Sequence, residues 1–358
     1  MSGYDAILLV SFGGPEREED VVPFLERVTA GRNIPRERLE EVGEHYYLFG
    51  GRSPINDQNR ALLSALRELL AAEGPDLPVY WGNRNWDPLL ADTLAQMRDD
   101  GIGRAICFVT AAYSSYSGCR QYREDLARAQ AAVGPDVPEL DKLRVYYNHP
   151  GFVEPQVDYV VEALGRLDPQ VRDDAPVVFT THSIPRTMSR HCDYEVQHYE
   201  TCRLVMEAVE RRAPRGDGRP REWQVVFCSR SGPEFVPWLV PDVNDHLTDL
   251  HARGTRGVVV VPVGFVSDHM EVAFDLDVEA AETARELGLE YQRAATVGTD
   301  DRFVRMIREL VLERHEGAEA RALGTRGPNW DECPTDCCFS PGQTEHPTVG
   351  AAPPPRPR

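Results

Sequence analysis

Glu271, Asp275 and Glu279 recur every fourth residue in PVGFVSDHMEVAFDLDVEA (262–280), and Asp268 and His269 stand just before them. On a helix this spacing stacks three carboxylates along one face. Like charges placed that way cost about 0.2 to 0.5 kcal/mol per pair. The row is therefore either a solvated face near a helix N-terminus, where the backbone dipole favours anions, or a place that holds cations. A second histidine, His182, directly follows the apolar run PVVFT. Imidazole together with carboxylates suits a borderline divalent metal such as iron, whereas oxygen donors alone suit magnesium or calcium.

Such groups meet only if strands end side by side. Short apolar runs alternate with longer amphipathic stretches, the pattern of βαβ units and a parallel sheet in an α/β fold. Strands are expected near 5–12, 78–83, 105–110 and 143–147, then near 176–180, 224–228, 257–263 and 290–296. Eight strand-helix units could close into one barrel. The gap of over sixty residues between the first two strands and the uneven period favour two open four-stranded parallel halves, each flanked by helices. The expected division is 1–150, 151–300, a terminal helix with a cysteine-rich segment (301–339) packing back on the first half, and a Pro-rich disordered tail (340–358). In open sheets of this kind ligands sit at the carboxyl ends of strands. That rule nominates SFGGP, NRNWDP, AAYSSYSGC, THSIP, SRSGPEFVPW and FVSDHME.

The composition, 41% hydrophobic and 27% charged over 358 residues, is that of a globular protein. A net charge of −19 disfavours nucleic acid and anionic membranes as partners. With no apolar run of membrane-spanning length and no secretory leader pattern, the chain reads as cytoplasmic, without stable membrane association. SFGGPE lacks both G-x-G-x-x-G and the G-K-S/T of a phosphate loop, so a nucleotide-binding reading is rejected. Phe12, Trp86, Tyr113, Tyr116 and Trp238 lie on or beside the nominated loops, as a large flat apolar ligand would require. Arg84, Ser53 and Tyr122 could anchor carboxylates on that ligand.

The runs LLVSFGGPE, GGRSPIN, FTTHSIP, WQVVFCSRSGPEFVPWL and PVGFVSDHMEV, in order over residues 4–315, together resemble the ferrochelatases, which insert ferrous iron into a porphyrin. The resemblance implies two similar Rossmann-like domains around a tetrapyrrole cleft, the chelatase fold. It makes His182 the catalytic histidine and Glu271 its acidic partner, facing each other across the macrocycle centre and both near the iron. Asp275 and Glu279 continue the row as a route for metal or protons. Asp268 and His269 match the motif beside the site. Phe12, Ser53, Arg84, Tyr122, Ser229 and Trp238 are implied to line the cleft or hold propionates. Phe12 stands where some bacterial relatives carry a tyrosine, and a phenyl ring cannot ligate iron.

WDECPTDCCF places Cys333, Cys337 and Cys338 in a stretch poor in apolar residues. A [2Fe–2S] site normally takes four thiolates, and several ferrochelatases carry one, with one internal and three C-terminal cysteines. Cys119, in a loop after the third strand, is the fourth candidate. The spacing C-x3-C-C differs from that of animal relatives, and zinc on the same thiolates is the alternative.

The resemblance points to iron insertion into coproporphyrin III, giving coproheme in haem biosynthesis, as in Gram-positive chains of actinobacterial type. The polar lip-like segment RNIPRERLEEVGEHYYLFGG favours this soluble substrate over protoporphyrin IX. A cobalt or nickel chelatase and a non-catalytic tetrapyrrole-binding protein of the same fold are the remaining alternatives. Porphyrin and ferrous iron are the expected partners, with transient contacts to neighbouring haem-pathway enzymes.

Overall fold

A computed structural model describes residues 3–31, 33–232, 235–342 and 346–352. Strands β1 (Ala6–Ser11), β2 (Val79–Asn83), β3 (Arg104–Val109) and β4 (Glu139–Lys142) form one sheet in the order β2-β1-β3-β4. Strands β5 (Val177–His182), β6 (Trp223–Cys228), β7 (Gly257–Val261) and β8 (Glu290–Arg293) form a second in the order β6-β5-β7-β8. Every pairing in both is parallel. The two halves thus repeat one topology, and the α/β class and paired four-stranded sheets expected from the sequence are those observed.

The central strands explain the sequence pattern. All six residues of β1, AILLVS, are buried, as are all five of β7, GVVVV. Helices cover both faces, so such strands read as continuous apolar runs rather than as alternation. One expectation fails here. The run LRVYY at 143–147 was expected to be the fourth strand, but β4 is the preceding ELDK. Leu143, Val145, Tyr146 and Tyr147 are buried without joining the sheet. Tyr146 instead stacks on Phe108 at 5.2 Å and donates its hydroxyl to the Val109 carbonyl. An apolar run signals burial, and burial here is met by ring packing.

One buried cluster passes through both halves, taking in Ile7, Leu9 and Phe108 of the first sheet and Val177, Phe179 and Val261 of the second. Polar contacts reinforce the junction. The Tyr113 hydroxyl donates to the Val263 carbonyl at 3.1 Å, and Gln197 both accepts from the Ser114 amide (2.7 Å) and donates to its hydroxyl (2.8 Å). The expected boundary near 150 falls at the start of helix Pro150–Arg166. Gly151 lets that helix touch helix Asp301–Glu316, because a side chain there would lie 2.5 Å from the Arg302 carbonyl.

The C-terminal segment returns to the first half. Arg120 and Arg123, both buried, donate to the carbonyls of Thr335 and Cys337 and of Val349 and Gly350 respectively. Cys333–Pro334 pairs in parallel with Ala351–Ala352. The expectation of disorder over 340–358 therefore differs from the structure at 348–352. Composition alone does not show that two buried guanidinium groups need carbonyl partners, and this stretch supplies them. Residues 343–345 and 353–358 lie outside the described residues.

Candidate active site

The carboxyl ends of β5 and β7 carry the reactive groups. His182 is the last residue of β5, its backbone paired with Cys228 and its carbonyl accepting from the Tyr194 hydroxyl at 2.9 Å. The chain leaving β7 must pass close to it, and Gly264 permits this. A Cβ there would lie 2.1 Å from the Thr181 hydroxyl oxygen. The following segment brings Glu271 to His182, with Nδ1 of His182 3.3 Å from Oε2 of Glu271. That nitrogen has no aligned hydrogen-bond partner. Both side chains remain partly open, 31% for the histidine and 41% for the glutamate.

The electrostatics follow from the contact. Burial disfavours charge on both groups, but the Glu271 carboxylate raises the His182 imidazole and the imidazole lowers the carboxyl. The two form an ion pair. Asp275 behaves oppositely. Burial raises its carboxyl to about 7, Glu271 and Glu279 add repulsion, and the Ser229 hydroxyl bonded to it opposes the rise. Burial likewise raises Glu279, with Asp242 adding to the rise and His45 opposing it.

The acidic row does not sit on one regular α-helix. Helix Met270–Ala273 gives way to a π-helical turn, Asp275–Ala280, before helix Ala281–Leu287. The Phe274 carbonyl accepts from the amides of both Val278 (3.1 Å) and Glu279 (3.0 Å). Four-residue spacing alone could not reveal this wider turn, a feature that clusters at functional sites.

Of the flanking residues, His269 caps the first turn, its Nδ1 accepting from the Glu271 amide at 3.1 Å, and burial lowers its pKa. Asp268 pairs with Arg293 at 3.4 Å and accepts from Thr296. The first positions the helix start, and the second ties the loop to the sheet.

Two implied arrangements are corrected. His182 and Glu271 touch directly, whereas a flat ring between them would need two carbon contact distances, about 7 Å. Arg84, an implied propionate anchor, is bound to the Asp125 carboxylate, with both side chains nearly inaccessible at 7% and 4%. Its guanidinium lies 4.5 Å over the Tyr122 ring. Tyr122 is buried beneath it, and Ser53 is buried against Gly14. All three are buried or paired within the fold. Phe12, by contrast, is 36% exposed, Ser229 is held by Asp275, and Trp238 lies against Gly232, where a Cβ would come within 2.4 Å of the indole.

Sequence reasoning took EHYY only as part of a polar lip. Its His45 stacks on Phe274, ring centroids 3.8 Å apart and planes 11° from parallel. Tyr46 is half-buried, and desolvation together with the Glu271 and Asp275 charges raises its hydroxyl above its ordinary range. Their signal was the two aromatic rings interrupting a charged helix. Cavities of about 750 and 640 Å³ flank the outer strands β2 and β6 and include none of the acidic row.

The four named cysteines lie together. The Cys119 thiol faces those of Cys333 and Cys338, and Cys337 and Cys338 are 3.4 Å apart at sulfur. Hydrogen bonds within the set, first that from Cys333, lower Cys119, and Cys333 and Cys338 likewise lower Cys337 to about 4, while Cys333 and Cys338 are raised. Cys119 belongs to a second π-helical turn, Tyr116–Arg120. Among the described residues no three or more His, Cys, Asp or Glu side chains form a group arranged to hold a metal ion. No helix among them is long and apolar enough to cross a membrane.

The ferrochelatase family profile matches residues 4–315. The chain is 54% identical to the coproporphyrin III ferrochelatase of Streptomyces coelicolor, covering 98% of this chain and 97% of that one. It is 50% identical to the ferrochelatase of Rhodopirellula baltica, covering 94% and 93%. Among solved structures, SirB from Bacillus subtilis with Fe3+ is similar at a TM-score of 0.52, with 12% identity, covering 87% of this chain and 97% of that one. At that identity the likeness is one of fold.

Proposed function

Because this chain belongs to the ferrochelatase family, we propose that it inserts ferrous iron into coproporphyrin III, giving coproheme for haem biosynthesis. The observation that carries the mechanism is the His182–Glu271 pair, 3.3 Å apart, one at the end of β5 and the other in the short helix after β7, with Asp275 and Glu279 following it. Similarity to relatives named for coproporphyrin III supports the substrate.

Metalation replaces two pyrrole N–H protons by one ferrous ion. Glu271 supplies anionic oxygen to replace the ion's water, and Asp275, raised to about 7, ionises as a cation arrives beside it. Before iron arrives, Glu271 holds His182 charged, so the imidazole is a poor base. A cation beside Glu271 cancels that attraction and lowers the imidazole pKa. His182 then gives its proton to solvent and takes one pyrrole proton, while the second pyrrole proton leaves along the acidic row to solvent. Base strength is thereby tied to the presence of the metal. Phe12 and Trp238 supply apolar surface for the ring.

The four grouped cysteines offer the sulfur donors that a [2Fe–2S] cluster takes, with the sulfurs of Cys337 and Cys338 3.4 Å apart. Cys119, Cys333, Cys337 and Cys338 would hold it, and when bound it would supply four metal–thiolate bonds fastening the C-terminal segment to the first half. Iron insertion itself transfers no electron.

The test is anaerobic insertion of Fe2+ into coproporphyrin III and protoporphyrin IX by the purified protein. A higher kcat/KM with coproporphyrin III is expected. Preference for protoporphyrin IX would overturn the substrate, and no insertion into either would overturn the reaction.

A further inference from the structure

His45 lies in helix Arg36–Tyr47 of the first half, while Phe274 belongs to the second half, between Glu271 and the π-helical turn. Their rings are stacked at 3.8 Å and 11°. Phe274 is 8% exposed. Its carbonyl is the acceptor on which the turn closes, taking the amides of Val278 and Glu279 at once. Asp275 is its direct neighbour in the chain. The position of this one residue therefore sets where two carboxylates of the row point.

Resting on the proposed iron insertion, we infer that His45 is a positioning residue, whose ring holds Phe274 and through it fixes the π-helical turn that aims Asp275 and Glu279 toward His182 and Glu271. The helix carrying His45 is otherwise anchored within the first half, where Leu39 joins Val21, Phe24 and Leu25 in a separate small cluster. The stack thus registers one half against the acidic row of the other. Tyr46, at the next position, packs edge-on against Phe24 at 6.0 Å and so ties the His45 helix to that cluster. The stack requires a flat ring at 45, and the imidazole also opposes the rise of the Glu279 carboxyl.

That requirement separates positioning from direct metal donation. In His45→Ala the amides of Val278 and Glu279 are expected to lose protection in hydrogen exchange, and kcat/KM for Fe2+ to fall roughly ten- to hundredfold. Coproporphyrin binding, followed by fluorescence quenching, and the melting temperature check that the variant is folded. His45→Phe is expected to restore both protection and turnover, whereas His45→Gln restores neither. Unchanged protection in His45→Ala overturns the inference, whatever the activity. Failure of His45→Phe to rescue turnover, with a raised KM for Fe2+ and normal protection, overturns it in favour of a donor role for the imidazole. Absence of iron insertion in the wild type would instead overturn the proposed reaction and leave the exchange result to decide the turn.

Discussion

Nδ1 of His182, at the end of β5, and Oε2 of Glu271, in the short helix that follows β7, stand 3.3 Å apart, so each fixes the charge of the other. Removing either leaves the partner with its perturbation reversed. His182→Ala is expected to lower iron insertion by about 10²- to 10⁴-fold, the usual worth of a positioned acid or base, while coproporphyrin still binds. Glu271→Gln is expected to lower the His182 pKa as well, visible as an upfield-shifted titration of its imidazole by NMR to lower pH. Normal turnover in His182→Ala would contradict the assignment.

Arg84 and Asp125 form a buried ion pair, and Arg128 reaches the same carboxylate from outside. Arg84→Ala leaves that carboxylate with one solvent-exposed partner. A loss of about 2 to 4 kcal/mol in urea denaturation is expected, below the upper range for an orphaned buried charge because Arg128 compensates. The KM for coproporphyrin should move little, since Arg84 is spoken for within the fold.

Gly264 has no room for a methyl group, given Thr181 side-chain and backbone atoms within 2.8 Å of its Cβ position. Gly264→Ala should cost about 1 to 3 kcal/mol as overpacking and separate His182 from Glu271. Activity should fall further than stability does, measured by turnover against thermal unfolding.

His198 is buried, stacked on Tyr113 at 3.5 Å, and its pKa is lowered to about 3 mainly by burial. A histidine held neutral stabilises the fold fully above its unfolded value near 6.5. That contribution is lost as pH falls from 6.5 toward 3, at up to about 1.4 kcal/mol per pH unit. His149, lowered the same way, adds to it. The melting temperature should decline between pH 6.5 and 5, less steeply than the two histidines alone would give because Asp275, raised to about 7, gains stability over the same interval. A flat profile there would count against it.

Cys119→Ser tests the thiol group. If a [2Fe–2S] cluster is bound, the substitution should abolish visible charge-transfer absorption and two equivalents of non-haem iron. Loosening of the C-terminal segment should then appear as faster proteolysis beyond residue 330. Wild-type protein carrying zinc alone would reassign the site.

The paired sheets were legible because buried parallel strands leave continuous apolar runs such as ILLV and VVVV. The fourth residue of LRVYY, Tyr146, shows the limit, since the same signal also marks a ring packed beneath a sheet. His182 and Glu271 were legible from strand-end position and charge spacing. Arg84 misled because a guanidinium near aromatic loops looks identical in sequence whether it faces a ligand or an internal carboxylate such as Asp125. His45 was missed for a related reason. Its partner Phe274 is more than two hundred residues away, and no local pattern joins them.

The π-helical turns occupy the same place in both halves, one after β3 at Tyr116–Arg120 and one after β7 at Asp275–Ala280. Each amounts to one surplus residue wound into a helix. Removing a single residue from either would let the regular spiral close, swinging everything on one side by about 100° relative to the other. Cys119 would turn off its sulfur companions, and Asp275 off Ser229, with every side chain still present. Single-residue deletions should therefore be far more damaging at these two places than point substitutions are.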